Sequence, residues 1–368
     1  MDTLARPLTP LDRLFLARAY ELARRGIGNT APNPPVGALV VAGGRVAGEG
    51  YHQRAGDAHA ERSALDAAGS SARGGTLYVS LEPCGHVGRT PPCVDAVIAA
   101  GIARVVAGAH DPAGHGGAGS LRKNNVEVIV ADDAAAHELI EPFAIAANAQ
   151  RPYLGLKMAM SLDGSVARRP DVHEPLSSQR ERQLVRELRA SYDAVLVGAG
   201  TIRIDDPELT VRPARRRSRP YHRIVAVQSE TLPPDRRVFA GEPGYATTIV
   251  LAPAGAREAH RGLERVADVL YVGAQGDPTL NLNAAMRALR AREICSVLCE
   301  GGPRLAASLI ASGLVDRFYW AIAPRLLAND AAVPVLSGRD LAALEPTLRF
   351  DRVERIGEDV MLSGAVRV

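Results

Sequence analysis

The stretch HAE (residues 59–61), followed one predicted strand later by LEPCGHVGRTPPC (residues 81–93), decides the fold of the first part of this 368-residue chain. It sets one histidine, one glutamate and two cysteines, each cysteine directly after a proline, in a fixed order. His59, Cys84 and Cys93 offer one nitrogen and two sulfurs, which are ligand types that zinc binds in proteins. A structural zinc site uses four protein ligands. A set of three leaves a tetrahedral position for water, which is typical of a catalytic site.

Glu61 is the carboxylate that such a site needs for proton transfer. It follows His59 by two positions at the start of a predicted helix, so the two side chains point in different directions. Glu61 is therefore placed to exchange protons at the site without becoming a ligand. His-x-Glu followed by two cysteines after prolines is typical of zinc deaminases of nucleobase-type rings, in which the glutamate is general acid and base. The pattern predicts one catalytic Zn²⁺ per chain, with Glu61 as the catalytic residue.

Composition and charge argue against several other classes of protein. The chain is 46% hydrophobic and 23% charged, with a net charge of +3, and we expect no membrane span because no apolar run is long enough. Residues 1–10 lack the charged-then-apolar order of a secretory signal. Four cysteines without a paired framework fit a reducing compartment, which predicts a cytoplasmic protein. The basic cluster at residues 215–219 has few aromatic neighbours for base stacking, so we expect a solvated loop and no nucleic-acid partner.

The order of predicted elements indicates two α/β domains, residues 1–150 and 151–368. The first begins with a helix from Thr9-Pro10 to Gly26 and a hairpin turning at Gly43-Gly44. Its strands are predicted at 36–41, 46–50, 76–81, 104–109 and 126–130, and its further helices at 59–68, 93–100 and 134–149. In the second domain the predicted strands are 153–160, 194–197, 223–227, 247–251, 269–272, 296–299 and 317–323, and the helices are 179–191, 283–290 and 304–312.

Three glycine-bearing segments follow apolar strands in the second domain. They are KMAMSLDG (residues 157–164), GAGTIRIDDPELTVR (residues 198–212) and EGGP (residues 300–303). The last leads directly into a predicted helix, whose N-terminal amides suit a phosphate. Each segment alone is a weak signal, since glycine in a turn needs no ligand to explain it. Cys295 and Cys299 lie in an apolar context without a nearby set of polar ligands, so we expect buried structural thiols.

The chain resembles the family of bifunctional deaminase–reductases of riboflavin biosynthesis. The resemblance rests on PNPPVG (residues 32–37), GYH (residues 50–52) and the two segments quoted first. The long insertion between the two cysteines separates this family from cytidine and tRNA-adenosine deaminases. The resemblance implies an N-terminal cytidine-deaminase-like α/β/α sandwich and a C-terminal dihydrofolate-reductase-like α/β domain.

The same resemblance implies two reactions on one small-molecule partner, a phosphoribosylaminopyrimidine. The first is zinc-dependent hydrolytic deamination of 2,5-diamino-6-ribosylamino-4(3H)-pyrimidinone 5′-phosphate at ring carbon 2. The second is reduction of the ribosyl side chain to ribityl by NADPH. The family pattern also implies a homo-oligomer, a dimer or a tetramer.

The resemblance further implies which residues bind substrate and cofactor. In the deaminase domain it places Asn33, His52, His86 and Arg89 on the pyrimidine or its ribose phosphate. In the reductase domain it places Arg189, Leu209, Arg212 and Glu300 on the substrate. It places Ala159, Thr201, Asp205, Gly301, Gly302, Pro303, Arg304, Leu305 and Ala306 on NADPH. The residue types agree with these roles, because asparagine both donates and accepts at a ring edge and arginine suits a phosphate.

Two segments depart from the family pattern. His173 and Pro175 stand where the family has a serine that contacts substrate and a tryptophan that lines the cofactor, and proline offers no comparable aromatic surface. Residues 111–119, DPAGHGGAG, stand where the family has Asp-Pro-Asn-Pro followed by Gly-Arg-Gly. These departures keep open a second function, a deaminase for a related phosphoribosylaminopyrimidine in a specialised pathway with a degenerate or altered reductase domain. A third hypothesis, a nucleic-acid-editing deaminase anchored by residues 215–219, ranks lower because of the cysteine spacing and the second domain.

Overall fold

The computed structural model describes residues 7–88, 91–172, 174–212, 217, 219–339, 341 and 346–367. The chain divides into two compact units, Met1–Gln150 and Arg151–Val368. The N-terminal unit contains α1 (Pro10–Arg24), β1 (Gly37–Ala42), β2 (Arg45–Tyr51), α2 (Ala60–Ala68), β3 (Thr76–Val79), α3 (Cys93–Ala99), β4 (Arg104–Ala107), α4 (Ala118–Lys123), β5 (Glu127–Val130) and α5 (Ala134–Asn148).

The N-terminal unit is a five-stranded sheet with helices on both faces. Its strand order is β2-β1-β3-β4-β5, in which β1 is antiparallel to its two neighbours and β3, β4 and β5 are parallel. Residues 37–41 of β1 are all buried, so both faces of the strand are covered. Gly37 permits the close approach of α1, since a Cβ atom at this position would lie 2.2 Å from the Ala19 carbonyl oxygen. The predicted α/β/α sandwich is confirmed.

A buried ion pair fixes the start of α1 to the sheet. Thr9 caps the helix, and its hydroxyl and the Asp12 carboxylate form a capping box. The Asp12 carboxylate also accepts hydrogen bonds from Arg104 on β4 (2.7 Å) and from the Tyr78 hydroxyl on β3 (2.7 Å), and only 2% of Asp12 is exposed. The guanidinium of Arg104 is the main reason that the pKa of Asp12 lies well below its usual range. A short sequence motif thus joins a helix to two strands.

The C-terminal unit contains a larger sheet of nine strands. Its elements are β6 (Tyr153–Ser161), β7 (Ser165–Ala167), α6 (Gln179–Ser191), β8 (Ala194–Gly198), α7 (Ala199–Asp205), β9 (His222–Ala226), β10 (Ile249–Pro253), α8 (Arg257–His260), β11 (Asp268–Val272), α9 (Leu282–Arg290), β12 (Ser296–Cys299), α10 (Pro303–Ala311), β13 (Arg317–Ala323), β14 (Val333–Pro334), β15 (Thr347–Ile356) and β16 (Asp359–Arg367). The strand order is β11-β10-β9-β8-β12-β6-β13-β16-β15. The first seven strands are parallel, and β16 and β15 run antiparallel at one end.

Successive side chains of β8 enter different clusters on the two faces of this sheet. Leu196 packs into one core cluster, whereas Val195 and Val197 pack into the other. This alternation is the two-residue period of a strand buried on both faces. Among the described residues, no helix is both long enough and apolar enough to span a lipid bilayer.

The structure corrects several predicted bounds. The helix predicted from residue 59 begins at Ala60, with His59 as its N-cap residue, and the strand predicted to reach residue 81 ends at Val79. Cys295 lies just before β12, not within it, although both Cys295 and Cys299 are buried free thiols as predicted. The short helices α4 and α7 and the hairpin formed by β15 and β16 were not predicted from the sequence.

Replacing Asp12 with alanine should destabilise the N-terminal unit. Arg104 then loses its buried carboxylate partner and keeps only the longer contact with Glu127, at 3.7 Å, which costs roughly 3 kcal/mol. Urea unfolding followed by far-UV circular dichroism should show the lower stability of the N-terminal unit. The single tryptophan, Trp320, lies in the C-terminal unit, so the unfolding transition followed by its fluorescence should not move. The folded pKa of Asp12 is lowered, so its stabilisation is present at neutral pH and lost as the pH falls below about 4.

The matched control is Asp66→Ala. Asp66 pairs with Arg62 on the surface of α2, and both side chains are about 60% exposed. Such a pair contributes about 0.5 kcal/mol or less. Equal destabilisation by the two substitutions would contradict the role given to Asp12.

Candidate active sites

Three potential metal ligands converge in the N-terminal unit from three different segments. His59 is the N-cap residue of α2, Cys93 is the first residue of α3, and Cys84 forms a β-bridge with Gly116. The His59 Nδ1 atom lies 3.2 Å from the Cys93 Sγ atom and 3.6 Å from the Cys84 Sγ atom. All three ligand atoms lie within 4.8 Å of one another, and no other group of this kind occurs in the described part of the chain. The arrangement fits a zinc ion.

The electrostatics of the site also favour a cation. A hydrogen bond with Cys93 is the main cause that lowers the pKa of the Cys84 thiol to about 4, and His59 contributes. The Cys93 backbone N–H also points to the Cys84 sulfur, at 3.4 Å. The same contact with Cys84, together with burial, raises the pKa of Cys93. Without a metal, therefore, only the Cys84 thiol readily becomes a thiolate. A bound divalent cation favours the thiolate form of both Cys84 and Cys93.

Glu61 lies in the first turn of α2, two residues after His59, and is 4% exposed. Burial raises its pKa, an effect that the nearby His59 partly opposes. A carboxyl group with a raised pKa next to a metal site is suited to take up and release protons near neutral pH. Because it is not one of the three converging ligands, the predicted division between ligands and proton carrier fits the geometry.

Asn33 and His52, which the resemblance places on the substrate, contact each other. The His52 Nδ1 atom lies 3.1 Å from the Ala58 carbonyl oxygen, and its Nε2 atom lies 3.1 Å from the Asn33 amide nitrogen. Burial lowers the pKa of His52, which favours a neutral ring that donates from Nδ1 and accepts at Nε2. The edges of the His52 and His59 rings meet with centroids 5.3 Å apart. The contact between His52 and Asn33 fixes the Asn33 side-chain amide next to His59, a proposed metal ligand. The side-chain carbonyl oxygen of Asn33 can then accept a hydrogen bond from a ligand.

The structure adds Glu82, which sequence reasoning did not single out. Its buried carboxylate accepts hydrogen bonds from the backbone N–H groups of Ala118 (2.8 Å) and Asp111 (3.3 Å), and it lies 3.0 Å from His110 Nδ1. A Cβ atom at Gly116 would lie 2.3 Å from this carboxylate. Glu82 therefore holds the glycine-rich loop 111–119 against the segment after β3 that carries Cys84. The only feature of the sequence that could have indicated this role is the position of Glu82, two residues before the ligand Cys84.

His86 is exposed, and its ring lies against that of His115, with centroids 4.2 Å apart. Arg89, the remaining predicted substrate residue of this unit, lies outside the described residues, and so does His173.

In the C-terminal unit the glycine-bearing turns share one edge of the sheet. Residues 198–200 begin at the last residue of β8, residues 300–302 follow β12, and these strands are parallel neighbours. A Cβ atom at Gly302 would lie 3.8 Å from the Thr201 hydroxyl. Helix α10 begins directly after the second turn, so its first amide groups suit a phosphate. Ala159 lies near the carboxyl end of β6, the strand next to β12, and pairs with Ala321 of β13. This edge fits a nucleotide cofactor.

The side chains of Arg189 and Glu300 form a bidentate ion pair. The Nε–Oε1 distance is 2.5 Å and the Nη2–Oε2 distance is 2.7 Å, and both side chains are mostly buried. Arg189 Nη1 also donates to the Thr210 carbonyl oxygen at 3.0 Å. The guanidinium predicted to bind substrate is thus committed to a carboxylate.

The other predicted residues of this unit lie close to the same ion pair or to α7. Arg212 donates from Nε to the Thr210 hydroxyl at 2.9 Å and pairs with Glu208. Leu209 is buried, and Asp205 is the exposed last residue of α7.

A second buried ion pair, between Lys157 on β6 and Glu181 on α6, was not predicted. The Lys157 Nζ atom lies 2.7 Å from a Glu181 carboxylate oxygen, and only 1% of the Glu181 side chain is exposed. A buried carboxylate of this kind is stable only beside a cation. Its sequence signal is weak, because the two residues are separated by 24 positions along the chain.

The segment that departs from the family pattern is held in place. Glu174 pairs with Arg325 at 3.1 Å and with Arg168 at 3.3 Å, and Arg325 donates to the Pro175 carbonyl oxygen at 2.9 Å. Leu176 packs with Ala323 and Leu327 in a small core. Pro175 is thus fixed near the end of β13, without an aromatic ring at this position.

Two arginines of the basic cluster contact the protein itself. Arg217 donates to the carbonyl oxygens of Ala190 and Tyr192, and its guanidinium lies 5.1 Å from the centre of the Tyr221 ring. Arg219 donates to the Glu293 carbonyl oxygen. Both contacts fit a structural role, and Arg215 and Arg216 lie outside the described residues.

Fold and sites together define a class of protein, a zinc deaminase unit joined in one chain to a nucleotide-dependent reductase unit. Comparison with known families agrees for both halves. Residues 10–109 match the family described as the cytidine and deoxycytidylate deaminase zinc-binding region. Residues 152–362 match the RibD C-terminal domain.

Full-length relatives identify the family. The riboflavin biosynthesis protein RibD of Escherichia coli is 38% identical over 95% of this chain and 98% of its own length, and that of Aquifex aeolicus is 37% identical over 96% and 98%. The structure of the deaminase/reductase from Thermotoga maritima superimposes with a TM-score of 0.82 at 32% identity, covering 96% of this chain and 98% of its own. The chain belongs to the RibD family. It is a bifunctional zinc-dependent deaminase and NADPH-dependent reductase of riboflavin biosynthesis.

The purified chain should contain about one zinc ion, held by three ligands. Cys84→Ser and Cys93→Ser should each reduce the zinc content strongly after dialysis against a mild chelator, because each removes a thiolate ligand. Elemental analysis by mass spectrometry measures the stoichiometry. Cys295→Ser is the matched control, since it removes another buried thiol that lies outside the group. Equal zinc loss in the control, or full retention in the Cys93 variant, would contradict the assignment.

Proposed function

We propose that this chain deaminates 2,5-diamino-6-ribosylamino-4(3H)-pyrimidinone 5′-phosphate and then reduces the ribosyl group of the product to ribityl. The observation that carries the proposal is the buried Glu61 beside three converging zinc ligands, joined in one chain to a reductase unit. The Thermotoga maritima relative supports the substrate, since that protein is described as a diaminohydroxyphosphoribosylaminopyrimidine deaminase and 5-amino-6-(5-phosphoribosylamino)uracil reductase.

Glu61 is the proton carrier of the deaminase. Zinc, when bound by His59, Cys84 and Cys93, supplies a Lewis acid that lowers the pKa of water to about 7. The Glu61 carboxylate takes a proton from the attacking water and passes it to a ring nitrogen. It then transfers the second water proton to the amino group on ring carbon 2, which leaves as ammonia, while the carbonyl of the product forms. The burial that raises the pKa of Glu61 suits it to hold a proton between these steps.

Four further residues bind the substrate of the deaminase in this proposal. The Asn33 carbonyl oxygen accepts a hydrogen bond from the ring edge, because its amide nitrogen is already directed to His52. His52 contacts the substrate beside Asn33. His86 contacts the substrate near Cys84, in the segment that follows β3. Arg89 binds the ribose phosphate, for which a guanidinium is well suited.

In the reductase, Ala159, Thr201, Asp205 and residues 301–306 bind NADPH. NADPH supplies the hydride, and the protein orients it against the opened sugar. The N-terminal amides of α10 hold a cofactor phosphate. Glu300 accepts hydrogen bonds from the sugar hydroxyls, and Arg189 holds the Glu300 carboxylate in place at the substrate. Leu209 and Arg212 complete the substrate side, next to Thr210.

We place both reactions in the cytoplasm, because thiolate ligands and NADPH suit a reducing compartment. We also propose a homo-oligomer, a dimer or a tetramer.

A second function is favoured by one observation, the absence of an aromatic ring at Pro175. In this alternative the chain deaminates a related phosphoribosylaminopyrimidine for a specialised pathway, and its reductase is altered. The anchoring of the segment through Glu174 and Arg325 supports the first function instead, because a degenerate segment would not need these contacts.

Glu61→Gln should lower the rate of ammonia release by about 10²- to 10⁴-fold, because the amide carries no proton between steps. Zinc content should stay at the wild-type value, since Glu61 is not a ligand. A steady-state ammonia assay with elemental analysis of the same samples separates the two effects. Glu49→Gln, at an ion pair with Arg18 elsewhere in the unit, should leave the rate unchanged. A Glu61 variant with more than a tenth of wild-type turnover would rule out this role.

With the deaminated intermediate supplied, the wild-type chain should oxidise one NADPH per ribityl product. Pro175→Trp should lower the KM for NADPH roughly two- to tenfold by adding an aromatic surface, whereas Pro170→Trp, at an exposed position of the same segment, should not. The absorbance of the nicotinamide band measures both the amount of NADPH oxidised and the KM for NADPH. Normal ammonia release without any substrate-dependent NADPH oxidation would favour the second function.

A further inference from the structure

The loop of residues 111–119 places a histidine, His115, beside the zinc site. The Gly85 N–H group donates to the His115 carbonyl oxygen at 2.8 Å, and the next residue of the loop, Gly116, forms a β-bridge with Cys84. The backbone of His115 is thus hydrogen-bonded to the residue that directly follows a proposed zinc ligand. Neither the zinc motif nor the family resemblance assigns a role to His115.

Contacts on both sides of His115 hold this part of the loop in place. The backbone N–H groups of Asp111 and Ala118 both donate to the buried Glu82 carboxylate, at 3.3 and 2.8 Å. These two residues flank His115, so groups other than its own side chain fix its backbone. A substitution of the His115 side chain therefore leaves the loop and Cys84 in position.

The ring of His115 lies against the ring of His86, which the resemblance places on the substrate. The ring centroids are 4.2 Å apart, and the ring planes are inclined by 36°. Both residues are exposed, and within the described part of the chain no hydrogen bond engages the ring nitrogens of either one. This imidazole pair (His86 and His115) therefore presents its ring nitrogens to a ligand from solvent.

Exposure increases along the chain from the zinc site to the imidazole pair. Glu61 and Cys93 are 4% and 3% exposed, Cys84 is half-buried, and Gly85 and His86 are exposed. The ring carbon that loses ammonia must lie at the buried end, beside Glu61 and the metal ligands. The ribosyl phosphate extends from another carbon of the pyrimidine ring, so the phosphate is the end of the substrate that reaches toward solvent.

We propose that His115 is a further substrate-binding residue of the deaminase, and that the imidazole pair donates hydrogen bonds to the 5′-phosphate of the substrate. Two adjacent rings can each direct an N–H group to a different oxygen of one phosphate, and hydrogen bonds to an anion are stronger than those between neutral groups. A neutral imidazole already carries one N–H donor, so the contact does not require a cationic ring. His115 then favours a phosphorylated substrate over its dephosphorylated form. This inference deepens the proposed deaminase function and rests on it.

Deaminase kinetics with the phosphorylated substrate and with its dephosphorylated form test this role. His115→Ala should raise the KM for the phosphorylated substrate about five- to twentyfold, because it removes a hydrogen bond to a charged group. The value of kcat should stay within about twofold, since the phosphate is remote from the reacting carbon and is bound equally in the ground and transition states. The KM for the dephosphorylated substrate should change by no more than about twofold, because the lost contact has no partner there.

His115→Phe distinguishes a phosphate contact from mere support of the His86 ring. Phenylalanine keeps an aromatic ring against His86 but has no N–H donor. We therefore expect the same rise in KM as for His115→Ala. His137→Ala is the matched control, because His137 is an exposed histidine of the same unit that pairs with Asp132 at 2.7 Å, and its KM should equal that of the wild type. Circular dichroism and zinc content check that each variant is folded.

A binding measurement separates this inference from the proposed reaction. The probe is ribose 5-phosphate, and the readout is two-dimensional NMR of the histidine ring signals of the zinc-loaded full chain. The signals of His86 and His115 should shift saturably with ribose 5-phosphate and should not shift with ribose. His115→Ala should raise the Kd for ribose 5-phosphate about fivefold or more.

Three results would overturn the proposal. The first is a wild-type KM in His115→Phe, which would leave His115 only a stacking role. The second is an equal rise in KM for both forms of the substrate. The third is normal deamination by a wild-type chain whose histidine signals do not respond to ribose 5-phosphate. Saturable binding of ribose 5-phosphate at the imidazole pair without ammonia release from the proposed substrate would count against the proposed function alone.

Discussion

Two thiols and one imidazole within 4.8 Å of one another are the interaction on which the deaminase unit depends. Without a cation the two sulfurs compete for a single favourable thiolate, since the pKa of Cys84 is lowered to about 4 and that of Cys93 is raised. Both thiolates become favourable once a dication is bound. The same positive charge favours the ionised form of Glu61, which burial opposes. The protonation states of the whole site are therefore linked to the metal.

The scaffold delivers these groups from two helix starts and from the segment that follows β3. His59 and Cys93 stand at the first turns of two helices, and Cys84 follows β3. Glu82 then ties loop 111–119 to the segment that carries Cys84, because its carboxylate accepts hydrogen bonds from backbone N–H groups of that loop. The reductase unit uses the same principle, since its glycine-bearing turns join parallel strands to the helices α7 and α10. In open α/β sheets, ligands bind at the carboxyl ends of the strands, where the first backbone N–H groups of the following helices are not yet hydrogen-bonded within the helix.

Sequence patterns predicted the parts of the structure that depend on local chemistry. The Thr9 capping box, the turn at Gly43-Gly44 and the spacing of the zinc ligands each reflect contacts between residues close in sequence or fixed by a motif. The β15–β16 hairpin was missed because its alternating charges lack the apolar period of a half-buried strand. The pairing of Glu82 with loop 111–119 was also missed, because it joins segments about 30 residues apart by backbone groups, which carry no sequence signal.

The Arg189–Glu300 ion pair limits what each residue does in the reductase. Removing one partner of a buried pair costs roughly 3–5 kcal/mol, so a phosphate that drew Arg189 away would leave a buried, uncompensated carboxylate. A phosphate that bound beside Glu300 would place two anions at one guanidinium. Glu300, in contrast, accepts two N–H groups from Arg189 and keeps about two lone-pair sites for hydroxyl donors. The geometry therefore favours Glu300 as the group that meets a sugar hydroxyl, with Arg189 as the residue that holds it.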